Sequence, residues 1–479
     1  MTFKNSILGN LRCMLFAKFV SQLITWGITL FVMRILRPED YGLIAMATIL
    51  VGLLTMINEM GLGQAIVQAD SISEYKLQQC FGLVVLVNSG SYILLCLLSP
   101  LASWFFNDAR LLTIVPVIGI QFLIQIFVVV PSAILDRDLK FKERSIYEVM
   151  AVTTGAISTL LMAIGGFEVW SIVFGNLIMA TAYAILINWR YPFLHKPVFK
   201  FFGVGKMAEY GFLTILNRLL WYFYSQVDSI IVGRLLGTAI LGAYSVGIQI
   251  ASLPLVKVSG IFNQLAFAGF SSIKNNSVQV GDGVIILAQV ASFISVPIFW
   301  GIAAVANEFV MLVLGPEWEL AILPLQCIAL ILPLRVLSIS LAQAINAIGR
   351  PGLNAINLSV ACIVMPIAFF IGISLWGIIG VCVSWIVVYP LWFVYVLKQG
   401  LPRIGLSVLN YLAKIAPPYL IGVLMVFIVW SIRSILPFQQ WVNFSVLVLI
   451  GAISYATLSW IFIKNYALRA LSVLQLDKM

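Results

Sequence analysis

Histidine is nearly absent from this chain, with one residue, His195, in 479. Cysteine is scarce and scattered: Cys13, Cys80, Cys96, Cys327, Cys362 and Cys382 contain no C-x-x-C pair. Zinc sites and disulfide scaffolds need these residues clustered, so neither is expected, and no metal or cofactor is assigned. Charge is short as well, at 10% of residues against 62% hydrophobic, with a mean hydropathy of +1.07. That leaves too little polar surface to coat a water-soluble fold. Enzyme signatures are missing too, since no Walker loop or paired-carboxylate constellation is visible. Asp136-Arg137-Asp138 spells the D-x-D of many glycosyltransferases, but it sits in a short loop crowded by Lys140, Lys142 and Arg144. A nucleotide-sugar site needs a folded domain, so this reads as a charged turn. His195 lies in the basic connection Arg190 to Lys206 without a neighbouring acid or nucleophile. The chain is read as a non-enzyme.

Apolar runs are what the sequence has in quantity. A helix crosses a bilayer with about 20 apolar residues, and runs bounded by charges, Pro or Gly fall near 13–35, 41–66, 78–103, 111–135, 146–165, 168–188 and 208–236. Seven more fall near 239–268, 283–313, 319–346, 354–374, 377–397, 409–432 and 440–464. The expected fold class is all-α integral membrane with about fourteen transmembrane helices. A barrel is excluded because its strands would alternate with period two. Lys4 and Arg12 precede the first run as in a signal peptide, yet the run continues to Leu36 without a small-residue cleavage site, so an uncleaved first span is expected.

The 28 Lys+Arg exceed 18 Asp+Glu by a net +10. In a soluble chain this would suggest nucleic acid; here it reflects loops held at one membrane face, and no nucleic-acid partner is expected. With the N-terminus inside, cytoplasmic segments receive most basic residues, among them Arg137, Lys140, Lys142, Arg144, Lys196, Lys206, Arg350 and Lys398. The opposite face keeps Arg34, Arg37, Arg110, Arg234 and Arg433. This asymmetry predicts that both termini are cytoplasmic.

Laid on itself with a shift of 200 residues, the chain repeats. Val32, Arg34, Leu36, Gly42, Leu53 and Gln64 fall on Val232, Arg234, Leu236, Gly242, Leu253 and Gln264. After a modest insertion, Pro116 and Ala133-Ile134 meet Pro324 and Ala344-Ile345. Two six-helix bundles are expected, 1–197 and 198–400, followed by two further helices in 401–479. Parallel repeats of this kind are a transporter architecture.

The repeat also exposes a polar stripe. Lys18, Gln22, Thr25 and Thr29 share one helical face, and Arg218, Tyr222, Ser225 and Ser229 take the same spacing 200 residues on. One reading is a hydrophilic cavity, cationic towards the cytoplasm, with Lys18, Arg218, Gln22 and Tyr222 as candidate substrate-binding residues. The other is close helix packing through small hydroxyls with snorkelling bases. Arg335 lies mid-span, where an arginine faces a cavity or a partner; it suits holding a phosphate or a carbonyl freed by Pro333. Asp228 is the candidate ion-coupling carboxylate, with an interhelical anchor as the alternative. Lys257 is a further intramembrane charge, or marks where its helix enters the headgroups.

VMRILRPEDYG at Val32 to Gly42, EMGLGQAIVQ at Glu59 to Gln68, LDRDLKF at Leu135 to Phe141 and DSIIVGRLLGTAILGAYSVG at Asp228 to Gly247 resemble the polysaccharide transporter family. These are the Wzx-like flippases of the multidrug/oligosaccharidyl-lipid/polysaccharide exporter superfamily, and the resemblance is strongest to the colanic-acid and teichuronic-acid branch. It implies a flippase moving an undecaprenyl-diphosphate-linked oligosaccharide across a bacterial inner membrane by alternating access. The partners implied are membrane lipids, a coupling H+ or Na+, and polysaccharide polymerase machinery. The family motifs do not identify the binding cations. A drug/cation antiporter of the same superfamily is the transporter alternative, although cationic cargo favours an acidic cavity. A glycan polymerase or ligase is the enzyme alternative, although it would need a substantial outside loop.

Overall fold

The computed structural model describes residues 21–22, 24–58, 66–67, 73–193, 196–199, 205–273, 277–435, 440–466 and 468, without the side chains of 57, 205–217, 256–273 and 277–278. Among the described residues, twelve helices are long and apolar enough to cross a membrane, and Ile24–Ile35 is a shorter apolar helix. One of the twelve is double. Gly205–Ile273 is interrupted at Gly237, whose φ of 82° and ψ of −179° are not helical. Counting its two arms, the order is α1 (Ile24–Ile35), α2 (Pro38–Asn58), α3 (Glu74–Phe106), α4 (Leu111–Arg137), α5 (Phe141–Ile164), α6 (Val169–Arg190), α7 (205–236) and α8 (238–273). Then come α9 (Ser277–Ala304), α10 (Ile322–Ala347), α11 (Pro351–Trp376), α12 (Ile378–Gly400), α13 (Val408–Arg433) and α14 (Gln440–Phe462).

Local chemistry sets the helix starts. At α2, Pro38 takes the first helical position, where its missing N–H costs nothing. Asp40 two residues on accepts the Arg37 backbone N–H at 3.0 Å, the carboxylate half of a capping box. Ser73 caps α3 by accepting from the Lys76 N–H, and Ser407 caps α13 by accepting from Asn410. One expected span is shorter than the hydropathy suggests. The run read as 283–313 leaves the α-helix at Ala304, and Ala306–Phe309, a wide turn at Val310–Leu314 and a 3-10 turn at Pro316–Ala321 follow. The reason is Glu308, which bonds Arg433 at 2.6 Å at the end of α13, so this apolar stretch serves a charged end rather than the bilayer.

The chain divides into two compact units: 1–222 with 237–242, and 223–236 with 243–479. In the first, α3 packs on α4, α5 on α6, and α4 on α6. A core of Phe81, Val84, Ile126, Val130 and Ala133 joins α3 to α4 and takes in Phe193, while Val32 of α1 and Leu36 just after it meet Ala163 of α5. In the second, α9 packs on α10, α11 on α12, and α10 on α12, which is the same pattern of third, fourth, fifth and sixth helices. The two last helices join this unit through Val296, Ile421, Met425 and Tyr455.

The repeat also shows in the turns. Asn107, Leu139 and Glu168 have positive φ in the first unit, and Gly315, Gly349 and Gly377 have it 208 to 210 residues later. Glu168 (φ 48°, ψ −133°) and Gly377 (φ 58°, ψ −134°) adopt nearly the same conformation before α6 and α12. This is a region that glycine enters freely and glutamate enters under strain.

Candidate functional site

The polar interior of the second unit is built on α7, α8, α10 and α12. Arg335 is the fourteenth of the 26 residues of α10, half-buried, and its guanidinium carbon lies 5.6 Å from the centre of the Trp385 ring on α12. That is cation–π geometry. Trp385 continues into a line of rings: Tyr389 at 5.7 Å, then Trp392 at 5.3 Å from Tyr389, then Tyr224 of α7 at 6.1 Å from Trp392. Tyr224, Tyr389, Asp228 and Tyr244 all lie within electrostatic reach of Arg335. Among the described residues, no carboxylate pairs with this guanidinium and none of its N–H groups has a protein acceptor.

Asp228 is buried at 5% exposure and held from three directions. The Tyr244 hydroxyl donates to Oδ2 at 2.7 Å, the Ser229 backbone N–H to Oδ1 at 2.7 Å, and the Ser229 hydroxyl to Oδ1 at 3.4 Å. The Trp385 indole N–H in turn donates to the Tyr244 oxygen at 3.0 Å. Trp385 therefore offers its face to Arg335 and its edge to the tyrosine that holds Asp228. One indole ties the cation of α10 to the carboxylate of α7.

The other predicted site residues are dispersed. Lys18 lies outside the described residues, as do His195 and the side chain of Lys257. Gln22 is half-buried and Arg218 exposed. Tyr222 belongs to the first unit, where its hydroxyl donates to the Ile49 carbonyl at 2.6 Å and packs over Gly52. Tyr244 and Trp385 had no place among the sequence candidates. The available signal was the aromatic run of α12, Trp385-Ile-Val-Val-Tyr389-Pro-Leu-Trp392, whose three rings at spacings of four and three share one helix face with no need of lipid.

The family-like motifs do structural work. Pro38, Asp40 and Gly42 of P-E-D-Y-G start α2 and let it be approached closely: a Cβ on Gly42 would stand 1.9 Å from the Thr238 carbonyl oxygen, and one on Gly242 would stand 1.7 Å from that of Pro38. The two glycines related by the 200-residue shift thus meet at one backbone crossing, which admits no side chain. Beside it Asp108 accepts from the Arg110 backbone N–H and Nε at 3.0 Å each and Nη2 at 2.7 Å, and from Thr238 at 3.5 Å, with Glu39 3.9 Å from Arg110. Burial pushes the Asp108 carboxyl up, but the hydrogen bonds from Arg110 outweigh it and hold the group below the ordinary carboxylate range. The Asp136-Arg137-Asp138 turn is likewise occupied by its neighbours: Asp136 pairs with Arg144, Asp138 with Lys140 at 3.4 Å, and Arg144 also with Glu148.

The family described as "Polysaccharide biosynthesis protein" matches residues 31–323. The chain is 26% identical over 303 residues to the teichuronic acid biosynthesis protein TuaB of Bacillus subtilis, covering 62% of each. It is 23% identical over 367 residues to the lipopolysaccharide biosynthesis protein WzxC of Escherichia coli, covering 74% of this chain and 73% of that one. Among solved structures, the lipid II flippase MurJ in an inward closed conformation superposes with a TM-score of 0.72 at 15% identity, over 95% of this chain and 99% of that one, a likeness of fold.

Proposed function

Because the chain belongs to the polysaccharide biosynthesis protein family, we propose that it is a flippase carrying an undecaprenyl-diphosphate-linked oligosaccharide from the cytoplasmic to the periplasmic leaflet of a bacterial inner membrane by alternating access. The names of the relatives support the cargo class, since two are named for the biosynthesis of teichuronic acid and lipopolysaccharide and one is a succinoglycan biosynthesis transport protein. The observation that carries the reading is Arg335. A guanidinium halfway along a transmembrane helix is costly unless it serves a cavity or a partner, and this one rests on an indole face with its N–H donors unclaimed by protein among the described residues. A diphosphate is the complementary anion, because the guanidinium fork matches phosphate oxygens two at a time.

In the first unit, Arg218 and Lys18 are assigned as further substrate-binding cations, with Gln22 and Tyr222 as neutral members of the same stripes. Asp228 is the candidate for coupling to H+ or Na+, since its partner Tyr244 shares Trp385 with Arg335 and a change of charge at one end is felt at the other. Both termini are assigned to the cytoplasm from the basic asymmetry, and polymerase machinery on the far side would consume the cargo. Reconstitution tests the proposal. Liposomes holding the purified chain and a defined undecaprenyl-diphosphate-linked oligosaccharide should show leaflet movement with no new covalent product. A lengthened glycan, or no movement beyond empty liposomes, overturns it.

A further inference from the structure

We propose that the first unit carries a subsite for one uncharged sugar ring, built from the carboxamides of Gln121 and Asn176 and the hydroxyls of Thr48 and Thr55. These residues line a cavity of about 240 Å³ between α2, α4 and α6, together with apolar Ile118 and Val173. The three helices begin at one end: Asp40 near the start of α2 takes a backbone hydrogen bond from Val169 at the start of α6, and Arg110 before α4 lies 3.9 Å from Glu39. Thr48 and Gln121 each stand ten residues into their helices and Asn176 seven into its own. At 1.5 Å per residue this is a common depth of about 10 to 15 Å.

Polar side chains at that depth need a partner or a wet cavity, and neither carboxamide is engaged by another described residue. Both threonine protons are committed, Thr48 to the Ile44 carbonyl at 2.8 Å and Thr55 to Val51 at 2.9 Å, so these hydroxyls offer acceptors. Each amide offers an acceptor and two donors. Sugar hydroxyls both donate and accept, and the apolar side chains suit the C–H faces of the ring. No charged residue lines the cavity, so a diphosphate would find no counter-ion there. The volume is below the roughly 300 Å³ at which pockets for drug-sized ligands begin, which suits one ring rather than a chain.

This inference rests on the flippase reading and deepens it. The test titrates the purified full chain, by native mass spectrometry, with undecaprenyl diphosphate alone and with undecaprenyl diphosphate bearing a neutral trisaccharide. The variant carrying Gln121→Leu and Asn176→Leu should weaken the glycosylated lipid about tenfold or more, leave the bare lipid within about twofold, and melt no lower than the wild type, since no protein partner is lost. Thr48→Val, a single isosteric change, should weaken the glycosylated lipid about threefold and serves if the double variant fails to fold. Equal losses for both lipids, no loss for either, or a wild-type chain that binds the two alike would overturn the subsite. A wild-type chain that moves no lipid-linked glycan in liposomes would instead overturn the flippase reading itself.

Discussion

The two units share a frame and differ in what they enclose. Both pair their third helix with the fourth, fifth with sixth and fourth with sixth, and both turn the backbone to positive φ at three matching places. Yet where the sixth helix of the first unit carries Asn176, the 209-residue offset of Glu168 and Gly377 puts Trp385 in the second. The first holds an uncharged cavity in which amides and hydroxyls stand among apolar side chains. The second is filled by Trp385, Tyr389, Trp392 and Tyr224 around Arg335 and Asp228. A repeated scaffold is thus preserved in its turns and helix crossings, where backbone sterics leave few solutions. Its lining is free to diverge, which is the basis for the proposal that one unit meets sugar and the other phosphate.

The sharpest way to break this division is at Arg335. Arg335→Gln should lower transport about 100-fold at equal protein level, and Arg335→Lys about tenfold, because the ammonium keeps the attraction but loses the planar fork. Equal activity of the two variants in the liposome assay would remove charge from the explanation. A smaller effect is expected at Tyr244. Tyr244→Phe takes the donor from buried Asp228 and the acceptor from the Trp385 indole, and should cost about 1–3 kcal/mol of stability. Tyr183→Phe in the first unit gives up a contact of 3.4 Å with Ser132, at the long limit of a hydrogen bond, and should cost under about 1 kcal/mol. Unfolding monitored in detergent compares the two; equal losses would erase the difference between the interiors.

The shared frame makes its own prediction. Glu168→Gly should stabilise the chain by about 1 kcal/mol by relieving the strained turn, and Gly377→Ala should destabilise it by a similar amount. A Cβ at Gly377 meets nothing within 4 Å, so backbone strain alone is tested. The smallest effect concerns pH. Asp108 has its carboxyl held below the ordinary range in the folded chain, so its contribution is present above the unfolded pKa of about 3.9 and is lost as pH falls through the folded value. Melting temperature should therefore fall on acidification below about pH 4, and less steeply in Asp108→Asn than in wild type.

Much of the frame was legible because it depends on hydropathy and short-range rules. The spans followed from apolar runs and the repeat from coincidences such as Gly42 with Gly242, whereas the start of α2 at Pro38, three residues before the run read from 41, and the close crossing of the two glycines came from the structure. The end of α9 was not legible, because Val310 to Leu314 is as apolar as a span and only the pairing of Glu308 with distant Arg433 explains the break. The tie between Asp228 and Tyr244 was hidden by its spacing: 16 residues apart along the sequence, they face each other only because Gly237 reverses the chain between them. Gln121 and Asn176 stood in view as amides inside apolar runs. Nothing local distinguished them from packing residues, since it takes three helices to enclose their cavity.

The measurement closest to the centre of this division is the water and cargo accessibility of position 335. With the six native cysteines replaced by serine, Arg335→Cys in membrane vesicles is treated with a charged, membrane-impermeant thiol reagent admitted to both faces, and Ile367→Cys serves as the control at a position 54% exposed on α11. Modification at 335 with little at 367 is the expected result, and undecaprenyl-diphosphate-linked oligosaccharide should slow modification several-fold in Ser338→Cys, about one turn along α10 with Arg335 intact. A thiol at 335 that stays unmodified, or one at 338 that is modified at the same rate with and without the lipid-linked glycan, would contradict the assignment of Arg335 to the cargo.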